Sequence, residues 1–228
     1  MTTQLQSAPR LPSDQNRLAI VGATGTGKTQ AAQWHLSHRR YDVMPWIVYN
    51  FKADESIDSI PYIREVGLDE LPTQPGVYVA RPLPDLDDEA VDHQMRAIWK
   101  RGNIGVWVDE GYMISPRNRS FQMLLTQGRS KIIPMIVLSQ RPVWMNRFVF
   151  SESEFYQVFR LQHRKDRETM AQIVPADFDS PLPPYHSWYY DAAMNRVSVT
   201  RPVPDLSVIH NTFARRLSVM EYRRKRVV

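Results

Sequence analysis

The 228-residue chain carries 29 Lys and Arg against 24 Asp and Glu, is 43% hydrophobic and 11% aromatic, and contains no cysteine. That is enough apolar material for one substantial core, which excludes wholesale disorder, and the missing thiols exclude disulfide frameworks, Cys-ligated zinc, iron–sulfur clusters and cysteine nucleophiles. The charge is uneven: residues 1–114 hold 11 positive against 15 negative side chains, residues 115–170 hold 10 against 4, and residues 201–228 hold 7 against 2, so a surface for a polyanion belongs to the second half.

Residues 1–16 are polar and aperiodic and are expected to form an N-terminal arm, laid on the body or left mobile. Leu18-Ala19-Ile20-Val21 ahead of Gly22 is a short continuous apolar run, the pattern of a strand buried on both faces, and a helix is expected over 28–38. Trp46 to Tyr49 predicts a second buried strand and Val77 to Val79 a third. In residues 87–101 the period changes: Val91, Met95 and Ile98 fall at i, i+4 and i+7, with acids in the first turn and Lys100 and Arg101 in the last, which predicts a helix.

Ile104 to Val108 reads as a strand ended by Asp109-Glu110-Gly111, and a helix through Phe121 to Leu125 should stop near Gly128. Met135 to Leu138 is the next central strand and Phe155 to Leu161 one more, followed by a short helix from Asp166 to Ile173. Residues 179–185 hold three prolines and no period. Trp188 to Tyr190 and Val197 to Val199 predict a hairpin, and Thr212 to Arg226 a basic helix whose stripe Phe213, Leu217, Met220 needs a cover. The division expected is an arm (1–16), one α/β domain (17–205) and a basic C-terminal segment (206–228). No run approaches 18 apolar residues, so no membrane span is expected.

The strongest signal is Gly22-Ala23-Thr24-Gly25-Thr26-Gly27-Lys28-Thr29, a phosphate-binding loop between strand and helix. Its glycines let backbone N–H groups curl inward, the helix offers its positive end, Lys28 reaches the β- and γ-phosphates of ATP, and Thr29 supplies a hydroxyl to Mg2+. Asp109 ends a central strand and is the expected partner in holding Mg2+. Glu110 beside it is placed to polarise an attacking water, which favours hydrolysis over transfer to an organic acceptor. Gln140, following the strand at Met135, is a candidate sensor of the γ-phosphate, passing its state to Arg141-Pro142.

Arg129, past a helix end, is a candidate arginine finger for a neighbouring subunit, or else a solvated or DNA-facing charge; Arg141, Arg147, Arg160, Arg164 and Arg167 compete for the role. The six histidines are scattered without metal-ligand spacing. Asn50-Phe51-Lys52-Ala53-Asp54 faintly resembles a guanine-reading motif but has one residue too many and comes too early. A partitioning factor of the deviant phosphate-loop type would want a Lys at position 23, which is Ala.

This set resembles the FtsK–HerA superfamily of ring-forming, DNA-translocating P-loop ATPases, above all its compact viral packaging and morphogenesis branch. The discriminating stretch is Thr126 to Pro142, in which a Gly-Arg turn, an apolar strand and a terminal Gln-Arg-Pro follow in the family's order. The resemblance, which runs from about Leu18 to Pro202, implies a RecA-like fold, a mostly parallel sheet with helices on both faces, to which the hairpin and basic helix read above are added. It also implies the finger role for Arg129, the sensor role for Gln140, a homo-oligomeric ring of six, DNA held by its phosphates, and capsid or portal vertex partners in the host cytoplasm or virion. The alternative is a virion vertex protein that binds ATP to assemble and scarcely turns it over.

Overall fold

The computed structural model describes the backbone of residues 9–225 and side chains as far as Met220. Its elements are β1 (Arg17–Val21), α1 (Lys28–Ser37), β2 (Pro45–Asn50), α2 (Glu55–Asp58), β3 (Arg64–Glu65), β4 (Gly76–Ala80), α3 (Asp88–Arg101), β5 (Gly105–Asp109), α4 (Arg119–Gln127), β6 (Met135–Ser139), α5 (Arg147–Glu152), β7 (Phe155–Val158), α6 (Arg164–Ala171), β8 (Ser187–Asp191), β9 (Arg196–Thr200) and α7 (Leu206–Lys225). The short α2, β3 and α5 are additions to the sequence-based expectation; a two-residue strand and single-turn helices are too brief to carry a period.

The strands form one sheet in the order β3-β4-β2-β5-β6-β1-β7-β8-β9. From β3 to β7 in that order the strands are parallel; only β8 is reversed, pairing antiparallel with β7 and with β9, the latter as the predicted hairpin. Every residue of β1, β2, β4, β5, β6 and β7 is buried, which is why these segments read as unbroken apolar runs with no alternation. Two cores result. One face carries Val21, Val108 and Val137 under α3, α4, α5 and α6; the other carries Leu18, Ile20 and Leu138 under α1, α2 and α7.

α7 corrects one expectation. It starts six residues before Thr212, and Ile209, Phe213 and Leu217 are buried in the chain's own core, with the Phe213 ring centroid 5.3 Å from that of Tyr41. The apolar stripe is covered from within, so it needs no partner. Arg216 ties the helix down, donating to the Ser37 carbonyl and pairing with Asp42 at 2.8 Å. The side chains of Arg223 to Arg226, the basic cluster read from the sequence, lie outside the described residues.

Of the N-terminal arm, residues 9–16 are laid on the body. The Arg10 guanidinium makes two hydrogen bonds to Asp191 (2.8 and 2.9 Å), and its carbonyl accepts from the Tyr189 hydroxyl. Residues 1–8 lie outside the described part. No described helix is long and apolar enough to cross a membrane.

Candidate active site

Parallel strands deliver their C-terminal ends to one edge of the sheet, and the chemistry gathers there. β1 lies between β6 and β7, and β5 lies beside β6, so the turns after β1, β6 and β5 emerge in sequence along that edge. The loop after β1 is fixed to both neighbours: the Gly22 N–H donates to the Ser139 carbonyl and the Ala23 N–H to that of Arg160. A Cβ on Gly22 would fall 2.6 Å from the Phe159 Cβ, and Gly27 caps α1 at φ +99°, so both positions require glycine. The Thr26 hydroxyl and Lys28 Nζ both donate to the Ala23 carbonyl, at 2.7 and 3.0 Å, closing the loop on itself.

One cavity is lined by Thr24, Gly25, Gly27, Lys28, Thr29, Asp109, Glu110 and Gln140, together with Lys52, Asp54, Ser56 and Tyr185. The structure therefore brings together Thr24, Gly25, Gly27, Lys28 and Thr29 of the loop with the acidic pair and the amide. Gly22, Ala23 and Thr26 supply the frame beneath. Glu110 adopts a left-handed conformation (φ +64°) at the end of β5, and its carboxylate accepts from Gln140 twice, from the side-chain amide at 2.7 Å and the backbone N–H at 3.0 Å. The other end of that amide, Gln140 Oε1, accepts from the Thr24 hydroxyl at 2.7 Å. Gln140 thus bridges the phosphate loop and the acid.

Burial sets the protonation of this pocket. Asp109 is pushed up to about 7, first by desolvation and then by the neighbouring Glu110 charge, while Lys52 and Lys28 pull the other way. Lys28 is pushed down to about 8, mostly by desolvation, with Lys52 adding to the shift and Glu110 and Asp109 opposing it. Among the described residues Asp109 makes no side-chain hydrogen bond or ion pair, and no cluster of three or more His, Cys, Asp or Glu is arranged to hold a metal.

Six lining residues, Gln30, Lys52, Asp54, Ser56, Tyr185 and Leu206, escaped the sequence reading, and two of them stand out. Lys52 belongs to the segment compared with a guanine reader, yet it sits by the acid: β2 pairs with β5 in the register Asn50↔Asp109, so Lys52 emerges beside Glu110 and its Nζ lies 2.5 Å from Oε1. Tyr185 closes the proline-rich stretch, where no period marks it. The parallel pairing that places Lys52 is invisible without the strand order.

Arg129 lies elsewhere, in a 3-10 turn (Gly128–Lys131) before β6, at the opposite end of that strand from Gln140. It is exposed and its guanidinium makes no hydrogen bond or ion pair among the described residues. Three of its competitors are engaged within the chain: Arg141 pairs with buried Asp166 at 2.8 Å, Arg164 with Glu168 and Arg167 with Asp179. Lys131 lies over the Trp99 ring.

No family model matches the chain. It is 47% identical to the DNA packaging ATPase P9 of Enterobacteria phage PRD1, an alignment covering 88% of this chain and 92% of that protein. Among solved structures it resembles the genome packaging NTPase B204 of Sulfolobus turreted icosahedral virus 2 in complex with ATP-gammaS, with TM-score 0.66 at 15% identity over 84% of this chain and 99% of that one. It also resembles ATPases 2 and 3 of EssC from Geobacillus thermodenitrificans, with TM-score 0.59 at 12% identity over 91% and 45%. At these identities the structures report the α/β P-loop fold.

Proposed function

The chain belongs to the family of phage DNA-packaging ATPases that includes P9 of PRD1, and from that membership we propose that it hydrolyses ATP to move DNA into a capsid. The observation that carries this reading is the convergence of Lys28, Thr29, Asp109, Glu110 and Gln140 on one cavity at the strand ends. Lys28 and the N–H groups of the loop orient the phosphates. Glu110 accepts the proton of the attacking water, and Gln140, bonded to both Glu110 and Thr24, registers the γ-phosphate.

Thr29 and Asp109 would hold magnesium. The donor set fits: one hydroxyl and one buried carboxylate, unpartnered among the described residues, leave the remaining positions to phosphates and water, the usual habit of this ion. Magnesium when bound neutralises charge developing on the phosphates.

The motor works as a homo-oligomeric ring, six subunits in our reading, at the virion vertex in the host cell, with Arg129 reaching a neighbour's nucleotide. DNA is held by its phosphates through exposed Arg117 and Arg119 and through Lys131. Support comes from the +6 segment that carries these residues and from the lack, among the described residues, of a partner for Arg129. The test is the ATPase rate with and without duplex DNA, read beside particle mass in solution. A stimulated rate in a multi-subunit particle is expected; a monomer that binds ATP without turnover would refute the motor. Affinity for duplex should fall steeply with salt.

A further inference from the structure

Tyr185 is a large aromatic left 57% exposed at the mouth of the phosphate loop, in a left-handed conformation (φ +61°) directly after Pro183-Pro184. Its ring reaches the cap of α1, with Cδ1 3.4 Å from where a Cβ on Gly27 would stand. An exposed ring held at a strained backbone position next to a ligand site is a feature that folding alone does not ask for.

The phosphate cavity continues past Gly27, Gln30 and Tyr185 into a second cavity of about 300 Å3, lined also by Phe159, Pro202, Val203 and Asp205. The side of the phosphate cavity towards β2 presents Lys52, Asp54 and Ser56, which are charged or polar groups unsuited to an aromatic heterocycle. The Tyr185 side presents two rings, a proline and a valine, with Gln30 and Asp205 as the few polar groups, the composition of a small-ligand subsite. The wall is anchored to the nucleotide helix itself, since Gln30 Nε2 donates to the Pro204 carbonyl at 2.8 Å.

We infer that the purine base of the bound nucleotide stacks on Tyr185 and occupies the cavity between it and the Pro202–Asp205 segment. This rests on the nucleotide reading of the Lys28 loop. The base leaves the loop over Gly27, and the connection from β9 to α7 becomes part of the nucleotide site. That connection begins at Arg201, directly after Thr200, whose hydroxyl is hydrogen-bonded to Ser187 in the adjacent strand.

The test compares two ligands that share a diphosphate and differ in the nucleoside, ADP and inorganic pyrophosphate, by calorimetric titration of the full chain with magnesium. Tyr185→Ala should weaken ADP roughly tenfold, the scale of one base–aromatic stack, and leave pyrophosphate unchanged. Tyr185→Phe should keep wild-type affinity for both. Val203→Arg, which fills the cavity from a half-buried position in its wall, should weaken ADP alone. Unchanged ADP affinity in Tyr185→Ala or Val203→Arg overturns the inference, as does equal loss of pyrophosphate, which would mark a distorted loop. Failure of the ATPase reading looks different: wild-type chain that binds both ligands without turning ATP over leaves the stacking result intact, whereas wild-type chain that binds neither removes both.

Discussion

Lys52 Nζ lies 2.5 Å from Glu110 Oε1, and the same oxygen accepts from the Gln140 amide at 2.7 Å. With the Gln140 backbone N–H on Oε2, the carboxylate has three donors, and the most exposed of the donating side chains is a cation that reaches across from β2. Lys52 also acts on Asp109, whose carboxyl it pulls down against the burial that lifts it to about 7. Asp109 must be ionised and Lys28, held near 8, must be protonated, so kcat/KM should rise through about pH 7 and fall through about pH 8. Lys52→Met should move the acid limb upward by on the order of one pH unit, and Lys52→Arg should leave it in place. An acid limb that ignores Lys52→Met would show that the charge does not reach Asp109.

Lys28 and Glu110 separate binding from chemistry. Lys28→Ala removes the ammonium that meets the phosphates and should abolish measurable nucleotide binding. Glu110→Gln keeps the side-chain shape but exchanges one acceptor oxygen for an NH2 group and cannot take a proton; ATP affinity should persist while phosphate release falls by about 10²- to 10⁴-fold. A Glu110→Gln protein with wild-type phosphate release would assign the base elsewhere.

The two residue classes at this site differ in how readable they are. Asp109 ends one buried strand, Gln140 directly follows another, and Lys28 closes the glycine loop after a third; the C-terminal edge of a parallel sheet is a place where polar residues have a reason to stand. Lys52 and Tyr185 lie in turns with a positive φ, at Ala53 and at Tyr185 itself, and nothing local in the chain says what they face. Their positions come from register, Asn50 opposite Asp109, and from the packing of a proline-rich loop on Gly27. The same distinction explains α7: its apolar spacing was visible, but whether that stripe met a partner or the chain's own Tyr41 depended on the tertiary fold.

Arg129 and Gln140 flank β6 from opposite ends, so an arginine that serves catalysis from Arg129 serves another subunit's site. Arg129→Ala should leave ATP affinity intact and cut turnover by about 10³-fold. Mixed with Glu110→Gln subunits it should regain part of the activity, because some borders then pair an intact Arg129 with an intact Glu110. Mixed particles with no regained phosphate release would remove Arg129 from the trans role.

Phe213 is fully buried between α7 and the α1 face of the sheet. Phe213→Ala should cost about 3–5 kcal/mol of unfolding free energy, read by urea denaturation. A loss below about 1 kcal/mol would mean that α7 is docked only by its surface contacts, such as Arg216 with Asp42.

His35 makes stability depend on pH. It is buried on α1, its Nε2 hydrogen-bonded to Gln157 Oε1 at 2.9 Å, and a relay continues from the Gln157 amide to the Ser187 hydroxyl and on to Thr200. Gln157 Nε2 is spent on Ser187, so its oxygen is the acceptor and the imidazole is the donor, neutral with its proton on Nε2. Burial drives its pKa down to about 3. The unfolded chain takes up the proton near 6.5, and the folded chain resists until about 3, so between those values the unfolded state binds more protons. The stabilisation is therefore complete above about pH 6.5 and is lost as pH falls, at up to about 1.4 kcal/mol per pH unit. In urea titrations from pH 7 to 4, the stability difference between wild type and His35→Gln should shrink with that slope. Parallel curves would mean that the imidazole is protonated, or solvated, in the native state.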